Sequence, residues 1–233
     1  MNHHKENRSR QAGFSLIEVS IVLVIVGLLL GGMMLPLATQ FERSQRTETR
    51  KTLEKALDAV YGYALANGRL PCPDINQDGL EDRKGGANRA CIRVYGFLPW
   101  ATLATGKQDA WGHALIYRVT ANFADEQPGA KNPLSCTRVP TSNASFSLCS
   151  QGDIQVKDSV GGQLVALNVP AVLLSKGKNW SRLTADEREN VDNDNIFVDR
   201  VYSSAEGNEY DDMMVWVVPA VLKNKLAEAG MLP

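Results

Sequence analysis

A short junction near the start of the chain carries residues that could do chemistry. Gly13 follows the small residue Ala12 and precedes Phe14, and Glu18 lies four residues further on. A peptidase that recognises small residues could cut after Gly13, and the cut would create a new amine on Phe14. The carboxylate of Glu18 could pair with such an amine. The junction therefore predicts a processing site followed by an acidic partner for the new terminus.

The segment after the junction decides what such a cut would keep. Residues 14–35 are 22 in number and carry no charge apart from Glu18. As a helix they would extend about 33 Å, enough for a hydrocarbon layer of roughly 30 Å. A secretory signal is cut after its apolar core, whereas this site precedes the core. We therefore expect the leader 1–13 to be removed and a transmembrane helix over 14–35 to be retained.

The charges of the leader predict the orientation of this helix. Lys5, Arg8 and Arg10 are opposed only by Glu6. Because basic residues stay on the cytoplasmic side, the N-terminus should be cytoplasmic and everything beyond residue 35 should be exported. The sequence thus predicts a single-pass protein with an exported C-terminal head.

Glu18 has two interpretations. A carboxylate at the centre of a membrane costs on the order of 3 kcal/mol or more. It lies about 6 Å into the helix, where it could simply reach the headgroup layer at little cost. Alternatively it could meet the Phe14 amine of a neighbouring copy, which would set the register between subunits.

These residues together resemble the type IV prepilins and the pseudopilins of type II secretion systems. The resemblance rests on Gly13 before the cut, Phe14 after it, Glu18 as the fifth residue of the cut chain and the long apolar helix, and it covers about residues 8–45. It implies that a prepilin peptidase and methyltransferase cuts after Gly13 and methylates Phe14. It also implies storage in the inner membrane, an assembly platform there, and entry into a pilus or pseudopilus with other pilin subunits.

The apolar pattern continues beyond the predicted span. Pro36 should kink or interrupt the helix, but the residues after it again favour an amphipathic helix over 36–67. Asn67 and Gly68 are suited to end it. The apolar face consists of Leu53, Leu57, Val60, Tyr61 and Ala64.

Residues 68–233 predict a head rich in strands. The clearest signal is a hairpin of residues 154–160 and 163–169 joined by two glycines. Pro219 and Gly230 bracket a short last helix. We therefore expect an α+β, pilin-like fold in which the long bent N-terminal helix packs on a mostly antiparallel sheet. Further strands are predicted at residues 114–120, 171–175, 196–202 and 213–218.

The four cysteines, Cys72, Cys91, Cys136 and Cys149, lie in the part that should be exported. An even number in such a compartment indicates disulfides. We favour the sequential pairing of the first with the second and the third with the fourth. A zinc site is the alternative, but the sequence has no Cys-x-x-Cys pair and His113 is the only histidine after the leader.

Asp74, Asn76 and Asp78 have the spacing that opens a calcium-binding loop. The twelfth position of that loop is Gly85, where a calcium-binding helix–loop–helix needs a glutamate. A polar turn is therefore the default interpretation, with calcium as the alternative and residues 192–195 as a second acidic loop. Apart from calcium, we expect no cofactor.

The composition and motifs exclude several function classes. The formal net charge is −1, without a basic field for nucleic acid. The sequence contains no nucleophile elbow, phosphate-binding glycine loop or metalloprotease helix, so we expect no enzyme. We interpret the chain as a minor pilin or pseudopilin, since the head is large. The alternative is a membrane-anchored periplasmic binding domain or enzyme that does not polymerise.

Overall fold

The computed structural model describes residues 13–86, 89–125, 144–181 and 183–232, without the side chains of residues 30–38. The chain forms two compact units, one ending at Ser44 and one beginning at Gln45. Residues 1–12 of the predicted leader lie outside the described part. We describe the two units separately.

The first helix, α1, spans Leu16–Asn67 without a break, so Pro36 does not interrupt it. It ends as predicted, because Gly68 takes a positive φ of 68° and donates its N–H to the carbonyl of Ala64 at 2.8 Å. Within the described residues, no helix combines the length and the apolar character needed to cross a membrane. The side chains of residues 30–35 fall outside the description, and the span 14–35 stays a prediction.

The described part of the second unit contains seven strands in two sheets. The strands are β1 (Tyr95–Phe97), β2 (Ile116–Val119), β3 (Ile154–Lys157), β4 (Leu164–Val169), β5 (Ala171–Ser175), β6 (Ile196–Val198) and β7 (Met213–Trp216). The first sheet is antiparallel throughout and has the strand order β1-β2-β5-β7; the second has the order β4-β3-β6, with β3 and β6 parallel.

The four-stranded sheet is buried on both faces. On one face, Tyr117 and Leu173 share a core with Leu53 and Val60 of α1, so the amphipathic part of the helix covers the sheet as predicted. The opposite face packs against the three-stranded sheet. This second core contains Ile116, Val172, Leu174 and Met214 from one sheet and Ile154, Val156 and Phe197 from the other.

Three short helices complete the head as far as its residues are described: α2 (Ala121–Ala124), α3 (Ala185–Glu189) and α4 (Pro219–Glu228). The last confirms the predicted C-terminal helix, with proline in its first turn and Gly230 at a positive φ of 71° just beyond it. Leu222 and Leu226 of α4 join the core that includes α1.

Six of the seven described strands lie where they were predicted, but β1 was not predicted and three details were wrong. A single sheet was expected, whereas the described part of the head has two. The predicted hairpin exists, but its connection is longer than two glycines because Asp158 accepts the N–H of Gln163 and a turn closes from Ser159 to Gly162. Since β3 ends there, β6 loses its partner after Val198 and stops short of the predicted residue 202.

Two glycine-to-alanine substitutions test this packing from opposite directions. A methyl group on Gly152 would overlap the carbonyls of Asn168 and Val169, so Gly152→Ala should lower the free energy of unfolding by about 1–3 kcal/mol. Gly62 has open space inside α1, so Gly62→Ala should raise it by up to about 1 kcal/mol. Urea denaturation of the full chain in detergent measures the free energy of unfolding of both variants. An unchanged midpoint for Gly152→Ala would contradict this close backbone approach.

Candidate functional site

The predicted cleavage junction lies immediately before α1. Gly13, Phe14 and Ser15 are not helical, and the helix begins at Leu16. All three are exposed, Phe14 to 88%. A peptide bond in a non-helical, exposed segment can be drawn into a peptidase cleft without unfolding a helix. The local structure therefore leaves the bond between Gly13 and Phe14 accessible.

Glu18 lies one turn into the helix and folds back on its start. Its Oε2 accepts the backbone N–H of Ser15 at 3.1 Å, and the Ser15 hydroxyl oxygen accepts the N–H of Ile17 at 3.2 Å. Ser15 is thus an N-cap whose hydroxyl binds the N–H of the second helical residue, and Glu18, the third, makes the return contact of a capping box; we call this pair of contacts the capping box. The sequence interpretation considered only headgroups or a neighbouring chain as partners of Glu18. The Ser-x-x-Glu spacing was the signal that could have revealed this contact.

The first turns of α1 present a continuous apolar surface. Every side chain from Phe14 to Leu29 is exposed in the isolated chain, and Glu18 is the only charged one. An apolar surface of this extent on a protein marks contact with a membrane or with other proteins. Lys5, Arg8 and Arg10 of the leader lie outside the described residues.

The structure contains one disulfide whose two ends are described, between Cys72 and Cys91. This is the first of the two predicted pairs. Cys149 is also disulfide-bonded, whereas Cys136 lies outside the described residues. Because Cys72, Cys91 and Cys149 are in disulfides, they cannot serve as thiolate ligands of zinc.

The candidate calcium residues lie together in the turn that follows Cys72. Asp74 accepts the backbone N–H groups of Asn76, Gln77 and Gly79 through its two carboxylate oxygens. Asn76 and Asp78 bond each other and the following backbone. The turn is thus held together by hydrogen bonds between its own backbone N–H groups and side chains. Calcium binding at Asp74, Asn76 and Asp78 stays a prediction.

Glu81, which the sequence analysis did not single out, organises the same loop. Its carboxylate accepts two hydrogen bonds from Arg69, one from Arg83, one from the N–H of Cys72 and one from the hydroxyl of Tyr63, all within 3.0 Å. Burial alone raises the pKa of Glu81, but these hydrogen bonds outweigh it and lower the pKa to about 2. The cluster ties the end of α1 to the disulfide loop.

A second buried network holds the turn after β5. Asp211 accepts the N–H groups of Lys178 and Asn179, and Glu187 accepts the N–H of Asp211. Asp212 lies beside them, and its burial raises its pKa well above the usual range. The carboxylates of Glu187, Asp211 and Asp212 lie within 4.8 Å of one another, which brings together residues that the sequence separates.

The second acidic loop is held by its own backbone. Asp192 accepts the N–H of Asp194, and Asp194 accepts the N–H of Ile196. Together with Glu189 these residues form an acidic group at the surface. The loop has the polar-turn geometry that was the default interpretation of the first one.

Asp109, His113 and Ser175 are the residue types of a hydrolase triad but not its geometry. The Ser175 hydroxyl donates to Asp109 at 2.6 Å rather than to His113, and Ser175 is fully buried. The Nδ1 atom of His113 lies 3.0 Å from the carbonyl oxygen of Gly177. A triad needs the histidine between the other two groups. This arrangement instead fastens two turns to each other.

Comparison with known proteins matches the N-terminal region. Residues 8–34 match the family described as the prokaryotic N-terminal methylation motif. The type II secretion system core protein G of Xanthomonas campestris pv. campestris is 26% identical over 113 residues, which cover 48% of this chain and 72% of that protein. No solved structure matches the chain significantly.

The Glu81 cluster predicts a defined dependence of stability on pH. Because the folded-state pKa of about 2 lies below the ordinary value of 4.5, the carboxylate stabilises the fold above pH 4.5 and this contribution is lost as the pH falls towards 2. Glu81→Gln should lower the free energy of unfolding at pH 7 by about 3 kcal/mol, since two partly buried arginines lose their anion. Denaturation midpoints between pH 7 and 2 measure both effects.

Glu54 provides the control, because it is exposed on α1. Glu54→Gln should leave the midpoint and its pH dependence nearly unchanged. Equal behaviour of the two variants would show that the cluster around Glu81 does not stabilise the head.

Proposed function

We propose that this chain, a pilin or pseudopilin subunit by its methylation motif and its similarity to a type II secretion system core protein, is a minor subunit cut after Gly13 and methylated on Phe14. The observation that carries the proposal is the motif match over residues 8–34, because it spans the junction and the apolar part of α1. The exposed, non-helical geometry of Gly13 and Phe14 supports it.

The apolar helix is then the assembly element. Residues 14–35 would exchange lipid for the helices of neighbouring subunits when the subunit leaves the membrane. Lipid tails are as apolar as leucine, so this exchange has little hydrophobic driving force, and close packing and polar contacts must set the register. Glu18 is the one charged group available for that role, and its partner would be the Phe14 amine of a neighbouring subunit.

The location and partners follow from the same mechanism. The protein would cross the inner membrane once, with the leader 1–13 in the cytoplasm and the head, residues 68–233, in the periplasm. The Cys72–Cys91 disulfide supports an oxidising compartment for the head. The partners would be a prepilin peptidase and methyltransferase, an inner-membrane assembly platform and the other subunits of a type IV pilus or type II secretion filament.

A structural role for the head fits its chemistry better than catalysis does. Of the residues that resemble a catalytic set, Ser175 donates its hydroxyl to Asp109, whereas the ring of His113 lies against the carbonyl oxygen of Gly177, so all three anchor turns. The rival interpretation, an anchored periplasmic binding domain or enzyme, needs neither a cut before the apolar helix nor a charge inside it.

Enlarging the residue before the proposed cut tests the cleavage step. Gly13→Ser should leave most of the protein uncut, because the peptidase site must close around the residue on the leader side of the bond. Gly27→Ala, also with open space around its Cα, is the matched control and should be cut normally. Intact-mass analysis of the membrane form distinguishes a chain starting at Phe14 from the full-length chain. Complete maturation of Gly13→Ser would refute the proposed cleavage.

Removing the charge of Glu18 tests whether this side chain is needed for assembly. Glu18→Ala and Glu18→Leu should both insert into the membrane and be cut, yet enter the filament at least roughly tenfold less, since a desolvated amine would lose its partner. Crosslinking of neighbouring subunits, quantified against the amount of mature protein, measures this. Normal filament entry of both variants would count against the role of Glu18.

A further inference from the structure

We infer that Ser15 is a positioning residue for assembly, an inference that rests on the proposed function. Ser15 caps α1 through the N–H of Ile17, while its own N–H binds Oε2 of Glu18. Both contacts lie within one chain, so they exist before any neighbour arrives. The capping box therefore fixes where the assembly carboxylate points in the free subunit.

The capping box holds one carboxylate oxygen of Glu18 in a hydrogen bond and leaves the other oxygen available. Within the described part of the chain, the hydrogen bond of Glu18 is made by Oε2, and Oε1 has no partner. A carboxylate can accept about four hydrogen bonds, so the ammonium group of a neighbour could be added without breaking the box. Holding a flexible side chain in its bound position in advance removes part of the entropy cost of association.

The position of the capping box also suits the expected partner of Glu18, the amine of Phe14 on a neighbouring subunit. The amide of Ser15 directly follows Phe14, so the Glu18 carboxylate is held at the end of the helix where the cut creates an amine. Negative charge is favoured at this end by the helix dipole. Ser15 thus presents the acceptor at the level of the membrane-embedded terminus of each subunit.

The test compares Ser15 variants in cells that carry the assembly machinery. Ser15→Ala removes the cap and should lower entry into the sedimentable filament fraction about fivefold, in line with the usual cost of losing an N-cap. Ser15→Thr and Ser15→Asn keep a capping oxygen and should restore entry. Ser20→Ala is the matched control, because the Ser20 hydroxyl only donates to the carbonyl of Ile17 within the same helix. Unchanged entry of mature Ser15→Ala would overturn the inference.

A double substitution separates positioning from a general effect on the helix. If Ser15 acts through Glu18, Ser15→Ala should cause no further loss in a Glu18→Ala background. Full additivity of the two losses would overturn the inference. Intact-mass analysis of each variant shows whether it is cut.

Ser15→Val provides an independent arm if Ser15→Ala is not cut. Valine has the branched shape of threonine but no capping oxygen, so Ser15→Thr is its matched control and Glu18 stays intact. Lower filament entry of mature Ser15→Val than of mature Ser15→Thr supports the inference, and equal entry of the two overturns it. Failure of the wild-type chain itself to be cut or to sediment with filaments would instead refute the proposed function.

Discussion

The four-stranded sheet needs a cover on each of its faces, and this need organises the whole head. Residues alternate along β2 and β5, so that Tyr117 and Leu173 face α1 while Ile116 and Leu174 face the second sheet. Each face would expose large apolar side chains without its cover. The part of α1 that lies in the second unit is therefore part of the core and cannot be regarded as a simple tether.

The Glu81 cluster explains how an irregular segment can hold the end of this helix. The chain from Arg69 to Arg83 contains no helix or strand, yet one largely covered carboxylate accepts hydrogen bonds from both ends of it and from Tyr63 of α1. A charge withdrawn from water is tolerated only when it is paired and hydrogen-bonded, and Glu81 meets both conditions. The Cys72–Cys91 disulfide closes the same segment covalently. Side-chain bonds here replace the backbone ladder that other parts of the head use.

Local signals predicted much of the chain, and long-range pairing accounts for the errors. The ends of α1 and α4 were predictable because glycine and proline act on neighbouring residues. The second sheet was missed because the parallel pairing of β3 with β6 joins segments about forty residues apart, which no periodicity encodes. Glu81 was missed for the same reason, since its partners are scattered along the sequence. The contact between Ser15 and Glu18 was local and could have been predicted from the capping-box spacing.

This contact changes the energetic account of Glu18. An unpaired carboxylate in the apolar helix would raise the free energy of the unassembled subunit. Pairing it during assembly would then release the full free-energy cost of the unpaired charge. With the N–H of Ser15 already bound, the free subunit is partly compensated. In the proposed assembly, the free energy gained when Glu18 meets a neighbour's amine would be the difference between two hydrogen-bonded states, and desolvation of the amine would reduce it further. Such a small free-energy difference would be poorly suited to drive assembly but well suited to choose between registers, because a slipped neighbour would place its amine where Oε1 cannot accept it.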